Sequence, residues 1–308
     1  MITGDELIVV DDGSEDHTPA VLQKYADLIR VIKAEHGGAG KARNIGIAHA
    51  NNNLVAFLDS DDIWLPGKLK IQRSFMEQKP DILFCFTNFE VQFQDGLVRP
   101  SYLELWHRDH ATWEQAFGHG LRYSSIATLP DGISDFKVYK GDLYRLQLTG
   151  FYILTDTLVV RRQEAGDSLH FAEDLKTYED LECFYRISRK GKGAFLNLDT
   201  ARQHDHPNNR LSQLTSLEKI NARLILLNRI WGNDTEFLKQ QSHLYQMVLD
   251  ETLCQKAGLS ISMGLNSEAR RSLTEMSSPP LFLRFITFLP SPLILLGLKI
   301  RRFMRRIY

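Results

Sequence analysis

Two clusters of acidic residues, each placed directly after an apolar run, carry the most recognisable chemistry of this chain. Asp11 and Asp12 follow the run at residues 7–10, and Asp59, Asp61 and Asp62 follow the run at residues 54–58. Short aliphatic runs of this kind are typical of buried parallel strands, and ligands of open α/β sheets bind beyond the carboxyl ends of such strands. Carboxylates gathered at one sheet edge repel one another unless a positive charge compensates them. The clusters therefore predict a divalent cation together with a phosphorylated or polyhydroxylated ligand.

The sequence around the clusters predicts alternating strands and helices that would position them. Strands are predicted at residues 7–10, 29–33, 54–58 and 82–86, with helices at residues 19–28, 41–50 and 65–78 between them. Strands that alternate with helices form mostly parallel sheets covered by those helices. We therefore predict an α/β fold with a mostly parallel sheet flanked by helices, and with both acidic clusters at one edge of the sheet.

Residues 97–150 break this alternation and form an irregular insertion. It is rich in aromatic residues and histidines: Tyr102, Trp106, His107, His110, Trp113, Phe117, His119 and Tyr123. Two interpretations stay open, because these side chains could line a variable pocket or could simply pack against one another. Beyond the insertion we expect a strand at residues 151–160 and a helix at residues 181–190 that ends at Gly191.

From residue 215 onward the pattern predicts helices alone. Thr215 and Glu218 have the spacing of a capping box at the start of one helix, and a second helix is predicted over residues 235–256. The expected division is a domain of residues 1–214, a helical region of residues 215–278 and a tail of residues 279–308.

The tail combines apolar residues with a basic end. Arg284, Pro290 and Pro292 interrupt the apolar sequence, which falls short of the roughly 20 residues of a membrane-spanning helix. Five cations follow: Lys299, Arg301, Arg302, Arg305 and Arg306. A broken amphipathic segment with a basic end is typical of a peripheral anchor on an anionic membrane, so we predict an interfacial contact. The alternative is a helix packed on the domain with a solvated basic end.

Composition limits the partners and the compartment. The 308 residues include 37 basic and 38 acidic side chains, so no general attraction to nucleic acid is expected. The three cysteines lack metal-ligand spacing, and their odd number suits a reducing compartment in which they are core thiols. The first residues contain no export signal, and we expect a cytoplasmic protein.

Four segments in the expected order resemble the family-two inverting nucleotide-sugar glycosyltransferases of the type A fold. They are residues 9–14 (VVDDGS), 38–46 (GAGKARNIG), 57–66 (FLDSDDIWLP) and 178–182 (YEDLE) with Arg186. The match extends over about residues 7–212, and four ordered segments are far more specific than any one of them. The resemblance implies a Rossmann-like domain with hexosyltransferase-type activity, followed by a C-terminal helical appendage.

The resemblance also implies which acidic residues bind the nucleotide and the metal. Asp11 and Asp12 would contact the base and ribose, although an N-cap for the helix near Pro19 is the alternative. Asp59 and Asp61 resemble the Asp-x-Asp motif of the family. Asp61 would therefore bind Mn²⁺ or Mg²⁺, and Asp59 would contact the ribose or reach the metal through water.

The resemblance implies that residues of the second and later segments bind the phosphates and transfer the proton. Lys41 and Arg43 lie near the start of a predicted helix, whose N–H groups favour phosphate, although Lys41 could be a solvated cation. Asp180 resembles the general base that removes the proton of the acceptor hydroxyl. His206 resembles the histidine of a late loop that closes over the diphosphate, and the nearby His204 leaves the register open.

The resemblance departs from the family at the start of the chain. Members carry an additional strand and helix before the first of the four segments, whereas six residues precede Leu7 here. We expect the natural start to lie upstream of Met1, and a shortened, inactive member is the alternative.

Together, these features predict a metal-dependent inverting glycosyltransferase at the inner face of the cell membrane. It would move a sugar from a nucleotide diphosphate donor, with UDP-sugars favoured, to a hydroxyl of a glycan or lipid-linked acceptor during cell-surface polysaccharide or lipid-linked glycan synthesis. One alternative is a non-catalytic nucleotide-sugar-binding or membrane interaction protein. Another is a phosphatase with Asp59 as its nucleophile.

Overall fold

The computed structural model describes residues 4–107, 112–205 and 214–289. The chain divides into two compact units, residues 1–207 and 208–308. The described part of the first unit contains strands and helices in alternation, and that of the second contains helices. The predicted boundary between a mixed domain and a helical region at residue 214 lies a few residues beyond the boundary of the first unit.

The first unit begins with the elements that carry the acidic clusters. In chain order they are β1 (Ile8–Asp11), α1 (Thr18–Gln23), β2 (Arg30–Lys33), α2 (Gly38–His49), β3 (Leu54–Ala56), β4 (Ile63–Trp64), α3 (Lys68–Gln78) and β5 (Phe84–Gln92). These bounds agree with the predicted alternation, although α1 is shorter and β5 is longer than expected. The agreement follows from the apolar periodicity of these segments, which is a local property of the sequence.

Short elements fill the insertion and lead to the last strand of the unit. They are β6 (Val98–Arg99), α4 (Tyr102–Trp106), α5 (Trp113–Phe117), β7 (Leu121–Arg122), β8 (Lys137–Lys140), α6 (Leu143–Gln147), β9 (Val159–Arg161), α7 (Arg162–Ala165), α8 (Glu179–Lys190) and β10 (Gly193–His204). Three single turns of 3₁₀ helix lie at Tyr123–Ser125, Thr155–Thr157 and Gly166–Ser168.

The strands form two sheets whose pairing differs from the predicted one. β1 and β2 form a parallel pair, and the larger sheet has the order β3-β9-β5-β10-β8-β7, with β4 and β6 added on β10 and β5. Among the described residues, only β1–β2 and β5–β10 are parallel, and the other six strand pairs are antiparallel. The α/β architecture is therefore confirmed, whereas the expectation of mostly parallel pairing is wrong. The added antiparallel strands β6 to β8 lie in the insertion, where strands of two to four residues leave no readable period.

The expected strand at residues 151–160 is mostly replaced by a turn. Only Val159–Arg161 is a strand, and Thr155–Thr157 forms a turn of 3₁₀ helix. The hydroxyl and the backbone N–H of Thr157 both donate to the carbonyl of Leu154, at 2.8 and 3.0 Å. Such local bonds compete with strand pairing, and they place Thr155 and Asp156 at the edge of the site.

A buried cluster between α3 and the larger sheet anchors this unit. Ile71, Phe75 and Met76 of α3 pack with Cys85 and Val159, and none of these side chains is more than 4% exposed. Close packing of this kind holds the strand ends in fixed positions. The prediction of core thiols is confirmed for Cys85 and Cys183, and Cys254 is half-buried.

The aromatic residues of the insertion mainly pack together. Trp113, Phe117 and Tyr123 are buried, and the ring of His107 stacks on that of Tyr152 with centroids 4.2 Å apart. The packing interpretation is therefore confirmed for these residues. Trp106 remains 42% exposed, and His110 lies outside the described residues.

The second unit is helical, as predicted. Its elements are α9 (Ser216–Leu226), a π-helical turn (Leu227–Gly232), α10 (Thr235–Ser262), α11 (Asn266–Thr274) and α12 (Leu281–Ile286). The capping box is present, because the Thr215 hydroxyl accepts from the Glu218 N–H and the Glu218 carboxylate accepts from the Thr215 N–H. No helix in the described ranges is long and apolar enough to span a bilayer. The basic end of the tail lies outside those ranges.

Candidate active site

Asp12 ties the loop after β1 to the start of α2, and Asp11 stabilises the loop itself. The Asp12 carboxylate accepts hydrogen bonds from the N–H groups of Gly37 and Gly38, both at 2.8 Å. The Asp11 carboxylate accepts from the Ser14 N–H at 2.9 Å, and its hydrogen bonds with Ser14 lower the pKa of Asp11. The alternative of an N-cap for α1 is not what is observed, since Asp12 serves the N-terminus of α2 instead. The nucleotide-binding role of both residues stays a prediction.

Arg43, one turn into α2, connects two of the four predicted segments. Its guanidinium lies 2.6 Å from a carboxylate oxygen of Asp59 and 3.4 Å from one of Glu179, and it stands over the ring of Phe171. Burial opposes its charge, but the carboxylates of Asp59, Asp180 and Glu179 outweigh that cost and raise the pKa of Arg43. Arg43 is therefore a permanent cation at the centre of an acidic site.

Lys41 lies at the first turn of the same helix. Its side chain is half-buried and passes beside Gly37, since a Cβ placed on Gly37 would lie 2.2 Å from Lys41 Cδ. Its position near the free N–H groups of α2 suits an anion. Contact between Lys41 or Arg43 and a diphosphate stays a prediction.

Helix α2 is held in place by a close approach to the segment before α8. A Cβ at Gly40 would lie 2.6 Å from the carbonyl oxygen of Ala172, so only glycine fits there. One turn later, the Asn44 side chain accepts from the Phe171 N–H at 2.8 Å and donates to the Phe171 carbonyl at 2.9 Å. These contacts set the position from which Arg43 reaches both carboxylates.

The second acidic cluster gains a member that the sequence interpretation missed. Carboxylate oxygens of Asp59, Asp62 and Asp156 all lie within 4.8 Å of one another. Asp156 is fully buried, and its Oδ1 accepts from the Asp59 N–H at 2.6 Å. The available signal was an aspartate between two threonines inside the mostly apolar run of residues 151–160, which favours a special role over a strand position.

Asp61, the residue predicted to bind the metal, occupies a different position. It is exposed, and its carbonyl accepts a hydrogen bond from Nδ1 of His204 at 2.9 Å. The carboxylate of its neighbour Asp62 accepts from the His204 N–H at 3.0 Å. The structure therefore groups Asp59 with Asp62 rather than with Asp61. The metal role of Asp61 stays a prediction, and His206 lies outside the described residues.

The donor set of this cluster suits a divalent cation. Carboxylate oxygens are the ligands that Mg²⁺ and Mn²⁺ prefer. Burial is the largest cause that raises the pKa of both Asp62 and Asp156, and repulsion by Asp59 adds to the rise. A hydrogen bond between the two carboxyl groups raises the pKa of Asp156 further and opposes the rise for Asp62. A dication among these oxygens would relieve that repulsion, so the residues present fit such an ion.

Asp180, the predicted general base, lies in the first turn of α8. Its carboxylate accepts from the hydroxyl of Thr155 at 3.3 Å and from the N–H of Leu181 at 2.8 Å. Burial, together with the negative charge of Glu179, raises the pKa of Asp180 to about 6 against the opposing effect of Arg43. A carboxylate with this pKa is deprotonated at neutral pH and still basic enough to accept a proton.

The backbone that leads into α8 is strained. Tyr178, immediately before the helix, has φ = 64°. Left-handed backbone costs a non-glycine residue roughly 1 kcal/mol or more and is found most often at functional sites. The strain aims the first turn of α8, with Glu179 and Asp180, at Arg43.

Comparison with known proteins finds similarity to glycosyltransferases in the first half of the chain. Residues 2–145 match the family model "Glycosyl transferase family 2". A Bacillus subtilis protein named for teichuronic acid biosynthesis, the glycosyltransferase TuaG, is 35% identical over 128 residues, which are 40% of this chain and 48% of that protein. The Escherichia coli UDP-Glc:alpha-D-GlcNAc-diphosphoundecaprenol beta-1,3-glucosyltransferase WfgD is 39% identical over 95 residues, 30% of this chain and 37% of that protein. The matches thus span less than half the length of these relatives.

A solved structure supports the same fold. S. aureus TarS, residues 1–349, determined in complex with UDP-GlcNAc, superimposes with a TM-score of 0.51 at 18% sequence identity, covering 91% of this chain and 74% of that one. At this identity the likeness concerns the fold alone. The family match favours a glycosyltransferase over a phosphatase that uses Asp59. Residues 2–145 are therefore similar to the family-two glycosyltransferases, and the chain has an α/β fold of type A.

Proposed function

We propose that this chain is a metal-dependent inverting glycosyltransferase that moves one sugar from a nucleotide diphosphate donor to an acceptor hydroxyl. The observation that carries the proposal is the position of Arg43, which joins Asp59 of the acidic loop to Glu179 beside Asp180. Donor binding and proton removal thus meet at one permanent cation. Such proximity is what a displacement reaction requires of its catalytic groups.

The donor is proposed to be a UDP-sugar. The name of WfgD states a UDP-glucose donor, and the TarS structure was determined with UDP-GlcNAc. In this chain Asp11 and Asp12 would accept hydrogen bonds from the base and ribose. The N-terminus of α2, with Lys41 and Arg43, would face the diphosphate, because helix N-termini favour anions.

The acidic loop is proposed to hold Mn²⁺ or Mg²⁺. Asp59 and Asp61 are the residues implied by the family motif, and the position of Asp62 beside Asp59 adds a further oxygen donor. When bound, the cation supplies positive charge that offsets the charge on the departing diphosphate.

The chemical step is proposed to depend on Asp180. The acceptor hydroxyl attacks the anomeric carbon from the side opposite the diphosphate, so a new C–O bond forms as the bond to the diphosphate oxygen breaks. Asp180 takes the hydroxyl proton, and the electron pair of the broken bond leaves with the diphosphate. The hydrogen bonds from Thr155 and Leu181 hold the carboxylate in one orientation. One base is enough for inversion by this route.

The pathway and location are proposed from the relatives and from the second unit. TuaG is named for teichuronic acid biosynthesis and WfgD for a diphosphoundecaprenol-linked acceptor, which suits cell-surface polysaccharide or lipid-linked glycan synthesis. In this chain Phe282, Phe285 and Phe288 of the α12 region are each at least 70% exposed. Exposed aromatic residues followed by a basic cluster suit peripheral contact with the inner face of a membrane.

The test is a calorimetric titration of UDP and GDP with and without Mn²⁺, followed by donor turnover in the Asp180→Asn variant. We expect UDP to bind best with Mn²⁺, and turnover to fall about 100-fold or more in the variant while UDP binding persists. Asp142→Asn is the matched control, since Asp142 also sits at a helix start and asparagine caps equally well. UDP binding without any turnover of UDP-sugars would favour the non-catalytic binding protein instead.

A further inference from the structure

We infer that Asp156 is a ligand of the divalent cation, supplied by the Thr155–Thr157 turn from outside the acidic loop. The inference rests on the proposed use of a cation, and it concerns a residue that the family motif does not contain. Its basis is the geometry of one carboxylate, of the turn that carries it and of the residues that face it.

The two oxygens of the Asp156 carboxylate are in different situations. Oδ1 accepts from the Asp59 N–H at 2.6 Å and so fixes the start of the acidic loop. Oδ2 is completely buried, and no hydrogen-bond donor reaches it within the part of the chain that the structure describes. A buried carboxylate oxygen without a donor is costly, and a cation is the ligand that would satisfy it.

The Asp156 carboxyl group lies beside two other carboxyl groups and forms a hydrogen bond with that of Asp62. Ligand atoms of Asp59 and Asp62 lie within 4.8 Å of those of Asp156, a spacing that permits three oxygens to share one ion. Arg43 pairs with Asp59, but across the described ranges no salt bridge reaches Asp62 or Asp156. The protein itself therefore offsets only part of the negative charge of these three carboxyl groups.

The turn that carries Asp156 is rigidly supported from behind. The indole N–H of Trp64 donates to the Asp156 carbonyl at 3.0 Å, and the Gln72 side chain donates to the Thr157 carbonyl at 2.8 Å. Gln72 is fully buried and is itself contacted by the buried Lys68. The Asp156 carboxylate is thus held in place before any ion arrives, as an effective metal ligand should be.

The same turn also reaches the candidate base. The hydroxyl of Thr155 donates to the Asp180 carboxylate at 3.3 Å. A cation bound by Asp156 would therefore fix a turn whose preceding residue orients Asp180. The turn would therefore couple cation binding to the position of Asp180.

The experiment measures Mn²⁺ binding to the full chain by electron paramagnetic resonance, without nucleotide, in the wild type and in Asp156→Asn. Asparagine keeps an oxygen that can accept from the Asp59 N–H but loses the charge. We expect Mn²⁺ affinity to fall at least about tenfold. Asp199→Asn is the matched control, because the half-buried Asp199 likewise accepts from a backbone N–H, that of Ser101. This control should bind Mn²⁺ as the wild type does.

Unchanged Mn²⁺ affinity in a folded Asp156→Asn chain would overturn the inference, as would a wild-type chain that does not bind Mn²⁺. Should the variant not fold, amide hydrogen exchange of the wild type decides. Mn²⁺ should slow exchange in peptides that contain residues 155–157, and slowing confined to residues 59–62 would refute the ligand role of Asp156.

Donor turnover is measured separately from Mn²⁺ binding. If the wild type turns over donor but Asp156→Asn does not change Mn²⁺ binding, the proposed function stands and the ligand role of Asp156 fails. If Asp156→Asn loses Mn²⁺ binding but the wild type does not turn over donor, the ligand role stands and the proposed function fails.

Discussion

At the scale of single residues, the site depends on one buried cation among several carboxylates. Arg43 is 12% exposed at its side chain and touches Asp59 and Glu179. Its planar guanidinium can serve two carboxylates at once, which a lysine ammonium does less well. The same arrangement holds these two carboxylates close together.

Replacing Arg43 with methionine should therefore destabilise the first unit. The change leaves Asp59 and Glu179 without their counter-charge, and we expect a loss of about 2 kcal/mol in the free energy of unfolding, because Asp59 is partly solvated. Urea denaturation at neutral pH measures it. Lys137→Met, which breaks the exposed pair with Glu114, should cost clearly less, because solvent screens exposed pairs. Equal losses in the two variants would show that Arg43 is not a special counter-ion.

The pH dependence of donor turnover should report Asp180. The base accepts a proton only when it is deprotonated, and burial raises the pKa of Asp180 to about 6. Activity should therefore rise as the pH increases through about 6 and level off above it. An aspartate with an unshifted pKa would place this rise at a pH of about 4.

Replacing Glu179 with glutamine removes a charge that raises the pKa of Asp180, so the rise in turnover should move to lower pH. If turnover is measured between about pH 5 and pH 7 and does not change, Asp180 is not the base.

At the scale of elements, the site is assembled by contacts between α2, the segment before α8 and the Thr155–Thr157 turn. Apolar spacing predicted α2 and α8 to within a few residues, because helical periodicity is local. It did not predict the turn, because the bonds of Thr157 to Leu154 outweigh the strand preference of a threonine-rich apolar run. The antiparallel strands of the insertion were likewise missed, since strands of two residues carry no pattern.

Gly40→Ala should separate α2 from its neighbour. A methyl group there would lie 2.6 Å from the Ala172 carbonyl oxygen, a backbone atom that cannot easily move. We expect a loss of about 1 to 3 kcal/mol in the free energy of unfolding, together with weaker UDP binding as Arg43 shifts. The control in the same helix is Gly46→Ala, where the added methyl meets Val10 at 3.6 Å. That change should be neutral or slightly stabilising, and a Gly40→Ala chain as stable as this control would refute the packing argument.

At the scale of the whole molecule, a mixed α/β unit is followed by a helical unit with an apolar exposed end. The core of the second unit includes Ala257, Ile261, Ala269 and Leu273. Phe282, Phe285 and Phe288, by contrast, face solvent. Exposed aromatic residues grouped within a few positions are typical of interaction surfaces.

The proposed membrane contact predicts the behaviour of these phenylalanines. The double change Phe282→Ser and Phe285→Ser should weaken sedimentation with anionic vesicles at least about tenfold, since each buried phenylalanine contributes about 1.5 kcal/mol or more. Met247→Ser with Met263→Ser is the control, because both methionines are about half exposed, Met247 on α10 and Met263 directly after it. Neutral vesicles should bind the wild type less well than anionic ones. Vesicle binding that survives the phenylalanine changes would contradict the proposal.

The sequence by itself determined the features that depend on neighbouring residues along the chain. The strand–helix alternation, the capping box at Thr215 and the four family segments were all readable, because periodicity and motif order are local. These features indicated the resemblance to the family and the α/β fold class before any geometry was known. They also placed Asp180 at the start of a helix.

Only the tertiary structure decided which charges meet. Asp156 lies 97 residues from Asp59 in the chain, and the two are joined by a hydrogen bond that no spacing could reveal. Arg43 similarly reaches Glu179 across 136 residues. Contacts of this kind depend on the order in which strands pair and helices pack. The burial that raises the pKa of Asp180, and the grouping of Asp59 with Asp62 and Asp156, follow from that packing alone.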